Sequence, residues 1–362
     1  MQLRARVPCC FLALALVLAG PVALGLEEMT DAQKASIDKA VKWLLKAQNK
    51  DGSWGLDEKT EGDITCTALS VLALMSMGDT DREGENDEVL GAVKRGVNWV
   101  LDKAKKAKGD ICNSETTLIQ GKLGRRVHNF FAVIMLTQLH GMRSIASDHE
   151  SDEELRNTIG KLTDIIAGSQ EPDGSWHKET WGSLKSTCMA FLALRSAASV
   201  GVPIKHAAVD KTIAFIKKQY NPSSRLFELS QGGGMGSYQT LYATSSCVRV
   251  MYGIGKGDDP QTASATDEFT KQCSKGQWSS MFLTVEGEDY LAALMMTHAL
   301  VNEKGERWNK WFPYIRDALL KRQDKATGTW TTTACIRGKT FPTVCAIMTL
   351  TTPNRLLPMQ EL

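Results

Sequence analysis

Proline is scarce, with ten residues in 362, and neither sign of charge is in surplus: 43 basic side chains stand against 41 acidic ones, a net of +2. The first shortage leaves helices unbroken, and abundant Ala, Leu and Met favour them. The second argues against nucleic acid or a strongly acidic partner. Beyond the N-terminal region no stretch is long and apolar enough to span a bilayer. Seven cysteines lie beyond the first ten residues: Cys66, Cys112, Cys188, Cys247, Cys273, Cys335 and Cys345. An odd number excludes complete intramolecular pairing, and a core of this size does not need it. At 43% hydrophobic and 23% charged residues, the chain has the composition of a folded globular protein.

What is present begins with a targeting pattern. Arg4 and Arg6 precede an apolar run at 11–20 (FLALALVLAG), and Ala23 and Gly25 put small residues where a signal peptidase reads. We expect residues 1–25 to be a signal peptide and 26–362 to be a single exported domain, periplasmic or extracellular. Cys9 and Cys10 precede the apolar run, which excludes them as lipid-attached residues after cleavage.

An internal repeat fixes the fold class. Residues 41–55 (VKWLLKAQNKDGSWG), 162–176 (LTDIIAGSQEPDGSW) and 315–330 (IRDALLKRQDKATGTW) each read as an amphipathic helix ending in Gln, a polar turn with Gly, then Trp. A second helix follows each turn, as at 65–77, 187–196 and 344–350, and is apolar on nearly every side. A helix apolar all round is buried all round. The alternation predicts outer helices near 31–48, 88–106, 152–169, 206–219, 262–273 and 308–323. Inner helices are predicted near 64–77, 129–140, 185–199, 239–252, 289–302 and 342–350. The Ser-x-x-Glu pattern of Ser151 and Glu154 is expected to cap the third outer helix. Six half-wet and six dry helices describe two concentric rings, since an open solenoid would leave its ends uncapped. The fold class is therefore all-α, an α/α toroid of six helical hairpins, with an axial cavity whose mouth is lined by the inner-helix N-termini.

The Gln-to-Trp element resembles the QW motif of the squalene cyclase and protein prenyltransferase superfamily. Gln48 with Trp54, Gln170 with Trp176, Gln272 with Trp278 and Gln323 with Trp330 carry it; Gln219 with Phe227 is a degenerate copy, and the second hairpin, with Trp99, lacks it. The resemblance runs from about residue 31 to the C-terminus, through Leu357 and Pro358. As a whole the chain resembles exported prenyltransferase and squalene oxidase repeat proteins of bacteria, of the planctomycete type. It implies a terpenoid cyclase or prenyltransferase-like toroid, with the motif in a structural role. Function does not follow from fold.

The catalytic sets that the resemblance would bring are incomplete. The D-x-D-D acid cluster of class II terpenoid cyclases is missing; Asp63, at the start of the first inner helix, is its nearest analogue in position, and such an Asp most often caps the helix. Protein prenyltransferases hold zinc with D-x-C and a His. Here His128 resembles that His, Asp289 is followed by Leu291 where the thiolate belongs, and Thr65 takes that place after Asp63, with Cys66 one step on. One step turns a side chain by about 100° around a helix, off the site. A site from Asp63, Cys66 and His128 is disfavoured, and the bland reading of His128 is a partly buried histidine bonding a neighbouring backbone group. Asp110 and Cys112 share D-x-C spacing in a loop, a weak signal. No metal or cofactor is expected.

Cys66, Cys188, Cys247 and Cys345 fall near one register just inside inner helices. Packed helices lie ~8–10 Å apart, too far for ready disulfide formation at matched positions, so these residues are expected to fill tight contacts, the alternative being a thiol ring that binds soft metal. Six helix N-termini and the basic residues Lys122, Arg125, Arg126, Lys185, Arg337 and Lys339 would make the mouth suit an anionic group, with Tyr238, Tyr242 and Tyr290 able to hold an apolar or planar part. The alternative is a solvated basic loop. Gly232–Gly234 reads as a turn, lacking the strand and Lys-Ser of a phosphate loop.

Three functions remain open. The first is a binding toroid for an apolar ligand or a protein partner at the mouth. The second is an isoprenoid-handling enzyme using Asp63, His128 or Asp289 in an unfamiliar way. The third is glycan cleavage by Asp63 with Asp289. Complement-type thioester chemistry is excluded, because no G-C-G-E-Q segment exists.

Overall fold

Helix starts are written into the sequence as side-chain caps. Thr30 accepts from the Gln33 N–H at 3.2 Å and opens α1 (Asp31–Ala47). Asp63 accepts from the Cys66 N–H at 2.9 Å and opens α2 (Ile64–Met75). Asn86 does the same for α3 (Asp87–Lys106). Each satisfies a backbone donor that the first turn leaves orphaned.

The computed structural model describes residues 29–360 except 83, 85, 112–115, 143–148, 177–182, 205, 229–237, 277 and 304, and leaves undescribed the side chains of 149–151, 206 and 238–239. The signal-peptide reading of 1–25, Cys112 and Gly232–Gly234 therefore lie outside the described residues. After α3 come the short α4 (Leu118–Leu123), α5 (Val127–Met142), α6 (His149–Gly168), α7 (Ser183–Ser199) and α8 (His206–Lys218). A two-residue antiparallel pair, β1 (Tyr220–Asn221) and β2 (Leu226–Phe227), precedes α9 (Tyr238–Gly253). The remainder is α10 (Pro260–Ser274), α11 (Gly287–Leu300), α12 (Glu306–Arg322) and α13 (Thr340–Thr351). Ser151 lies inside α6, so it does not cap that helix.

The inner ring is α2, α5, α7, α9, α11 and α13, each packed on the next, and α13 returns to pack on α2. The ring is closed. Every residue of α2, α11 and α13 is buried. Outer helices α1, α3, α6, α8, α10 and α12 each keep a wet face, as the one-sided spacing of their apolar residues dictates.

The repeated turn explains the closure. The indoles of Trp54, Trp176 and Trp330 are fully buried and donate to Leu44 O, Ile166 O and Leu319 O of their own outer helices. Their backbone N–H groups donate to Thr67, Thr187 and Thr343 of the following inner helices. Phe227 keeps that second tie, to Thr244, and having no indole N–H lacks the first. The glutamines reach sideways: Gln48 donates to Ala92 O, Gln170 to Ala208 O, and Gln323 to Ser36 O, each on the next outer helix. The last bond joins the sixth hairpin to the first. Gly52, Gly174 and Gly328 have φ of 94°, 93° and 78°, and a Cβ at Gly52 would lie 2.6 Å from Arg95 O. Only glycine allows that approach.

The C-terminal tail covers the end of the ring opposite the inner-helix starts. Met359 N–H donates to Gln138 at 2.5 Å, and Arg249 donates to Met359 O at 2.6 Å.

Candidate functional site at the ring mouth

The N-termini of the inner helices gather at one end of the ring, and three of them bring ionisable groups together. Lys185, in the first turn of α7, bonds Glu288 in the first turn of α11; both are buried. The Lys185 ammonium also lies 5.6 Å from the ring centre of Tyr242 on α9, in cation–π range. Glu286, Glu288 and Cys335 place their donor atoms within 4.8 Å of one another. Thr333 N–H and Ala334 N–H donate to Val285 O, which pins the loop before α13 against the start of α11. Burial first, then a hydrogen bond to Glu286 and the charges of Glu288 and Glu286, push the Cys335 thiol up to about 12, with Lys122 opposing. The thiol is protonated at neutral pH and donates to Glu286.

The other residues proposed from sequence are placed differently. Arg125 is exposed, and Arg126 pairs with Asp110 at 3.1 Å. Lys339 pairs with Asp57 at 3.6 Å, at the seam between last and first hairpins. The Tyr290 hydroxyl is buried and donates to Leu283 O, and Asp289 accepts from the Leu283 N–H at 2.8 Å. Both are tied to the loop before α11, which takes Tyr290 away from the ligand surface expected of it. Tyr238 opens α9, and its side chain lies outside the described residues.

Asp63 and His128 meet on adjacent inner helices. Asp63 Oδ2 and His128 Nε2 are 3.8 Å apart, buried, and each lacks a hydrogen-bond partner among the described residues. Thr65 Oγ1 holds the other imidazole nitrogen at 2.8 Å. Burial lowers the His128 pKa and the Asp63 charge opposes that, so the ring is neutral at pH 7. Asp63 faces His128, whereas Asp289 is bound to the loop before its own helix.

Two buried histidines predict acid sensitivity. Burial, then the nearby Arg249, lowers His298 to about 3, against ~6.5 in an unfolded chain. The unfolded chain binds a proton that the folded one refuses, so stability falls as pH drops from 6.5 towards 3. Urea unfolding at pH 7 and pH 5 should differ by about 2 kcal/mol from His298 alone. The difference should shrink in His298→Gln.

A motif repeated in register, a closed ring of buried helices and a Gln tie from last hairpin to first coincide with two family matches. The squalene-hopene cyclase C-terminal domain matches residues 15–117, and the prenyltransferase alpha-alpha toroid domain matches residues 111–277. The chain belongs to the squalene cyclase and prenyltransferase superfamily of α/α toroids. Lanosterol synthase erg7A of Aspergillus fumigatus is 25% identical over 164 residues, 44% of this chain and 19% of that protein. Squalene–hopene cyclase of Zymomonas mobilis is 36% identical over 76 residues, 18% of this chain and 10% of that protein. The chain thus matches less than a fifth of either relative's length. Among solved structures, the GH76A α-1,6-mannanase of Salegentibacter sp. HEL1_6 superposes with a TM-score of 0.58 at 10% identity, covering 90% of this chain and all of that one. The type II terpene cyclase MstE of Scytonema gives 0.54 at 14%, covering 91% and 100%. At such identities the likeness establishes the fold alone.

The toroid thus brings together Lys185 and Tyr242, which the sequence singled out, with Glu286, Glu288 and Cys335, which it did not. The available signal was two carboxylates at 286 and 288 beside a helix that is otherwise apolar all round.

Proposed function

We propose that the protein is an exported binding toroid that holds an apolar ligand or a protein partner at the mouth formed by α7, α9 and α11 and the loops before α5 and α13. One observation carries this reading. Among the described residues the exposed large hydrophobics are Met281, Val285 and Leu356, at 47%, 39% and 40%, and the first two lie on the loop that leads into Glu286 and Glu288. Exposed apolar side chains rimmed by charge mark a contact surface. The inner helices behind them are taken up with packing. Export through residues 1–25 would place that surface in the periplasm or outside the cell.

The basic loop before α5 supplies the test. Arg125→Ala with Arg126→Ala should weaken binding of whatever ligand or partner co-purifies from the exporting host, and shift stability by no more than about 1 kcal/mol, since Arg125 is exposed and the Arg126–Asp110 pair is only half-buried. Binding that survives this pair and fails on outer-wall substitutions would place the site elsewhere.

The second reading, an isoprenoid-handling enzyme with a non-standard site, is favoured by the facing Asp63 and His128. Turnover of an isoprenoid substrate lost in Asp63→Asn would promote it over binding alone.

A further inference from the structure

Four cysteines sit near the starts of inner helices, but the ties between turn and helix give each its own register. Thr187 receives the Trp176 backbone bond and Thr244 the equivalent Phe227 bond. Cys188 follows its threonine by one residue and Cys247 by three, a difference of two, which turns the second side chain by roughly 200° relative to the first. On adjacent packed helices such an offset lets the two side chains point at each other. α7 and α9 are adjacent in the inner ring, and the two Sγ atoms lie 3.7 Å apart, both fully buried. The expectation that matched positions stay too far apart for bonding fails here because the positions are not matched.

We propose that Cys188 and Cys247 are a disulfide-forming pair that staples α7 to α9 when the chain folds in an oxidising compartment. A bond of ~2.05 Å asks each sulfur to move by about 0.8 Å, within reach of a χ1 adjustment. The two thiols together lose two protons and two electrons. A small-molecule or protein disulfide accepts them, its own S–S bond opening to two thiols. Neither sulfur is accessible in the folded ring, so exchange takes place before the two helices pack. Closing a loop of 59 residues removes many conformations from the unfolded chain. The staple also joins the helix bearing Lys185 to the helix bearing Tyr242, which fixes two sides of the mouth.

The full chain, refolded from denaturant in a mixture of reduced and oxidised glutathione, tests this. Alkylation under denaturing conditions without reductant, followed by digestion and mass spectrometry, reads the result. The expected product is a 188–247 bridged peptide, two hydrogens lighter than its separate halves, in most chains. Reductant should remove it only together with denaturant, and the reduced protein should melt about 5 °C lower. Recovery of both peptides fully alkylated, or of Cys188 joined to a different cysteine, would overturn the proposal. The readout is on the wild-type chain, so it does not depend on whether a Cys188→Ala variant folds.

Discussion

Trp176→Ala is expected to cost about 3–5 kcal/mol of stability, and Trp54→Ala a similar amount. Both indoles are buried to within 1% of their surface, so truncation leaves a large cavity between an outer helix, an inner helix and the turn joining them. The donor bonds to Ile166 O at 2.6 Å and Leu44 O at 2.8 Å go with the rings, leaving carbonyls near helix ends short of a partner. Phe227 shows which part of the motif can be given up: it fills the same place and keeps the backbone tie to Thr244. Trp176→Phe should therefore recover much of the loss. Guanidinium unfolding curves for the three variants check this, and unchanged midpoints for both alanine variants would remove the motif from its structural role.

Lys185→Met is expected to destabilise by a comparable ~3–5 kcal/mol, for an electrostatic reason. Glu288 is 1% exposed, and without the ammonium its carboxylate is a buried charge lacking its main counterion. Adding Glu288→Gln should restore a large part of the loss, because removing both charges of a buried pair is far cheaper than removing one. A double-mutant cycle by urea unfolding measures the coupling. Strictly additive effects would mean that the two side chains do not hold the mouth together.

The fold was legible because its signal is periodic and repeated. Inner helices are apolar all round and outer helices on one face, so the twelve helices of the two rings fall close to the spans read from the sequence. The small elements were not legible. α4 is a six-residue helix set by a capping box between Thr117 and Gln120, and it reads in sequence as part of a basic loop. β1 and β2 are two residues each, too short for a period of two to register.

The site was half legible. Lys185 and Tyr242 stand out as polar groups at the starts of dry helices, and they do meet. Asp63 is the helix cap that the sequence implied; His128, read as a partly buried histidine bonding a neighbouring backbone group, is instead fully buried and bonded by the Thr65 side chain of the adjacent helix. Asp289 and Tyr290 look equivalent in sequence to Glu288, yet successive residues on a helix differ by about 100°, and these two turn to their own loop. Cys335 was passed over because it lies in a turn, with φ of 54°, and only the bonds from Thr333 and Ala334 to Val285 bring it to the glutamates. Tertiary bonds of that kind leave no local pattern.

Hydrogen–deuterium exchange on the protein with and without its co-purifying ligand or partner tests the central claim most directly. The mouth reading predicts slowed exchange in 122–127, 183–187, 281–288 and 333–340, with the outer wall and the C-terminal tail unchanged. Protection confined to the groove between α10 and α12, or to 355–360 at the opposite end of the ring, would contradict it.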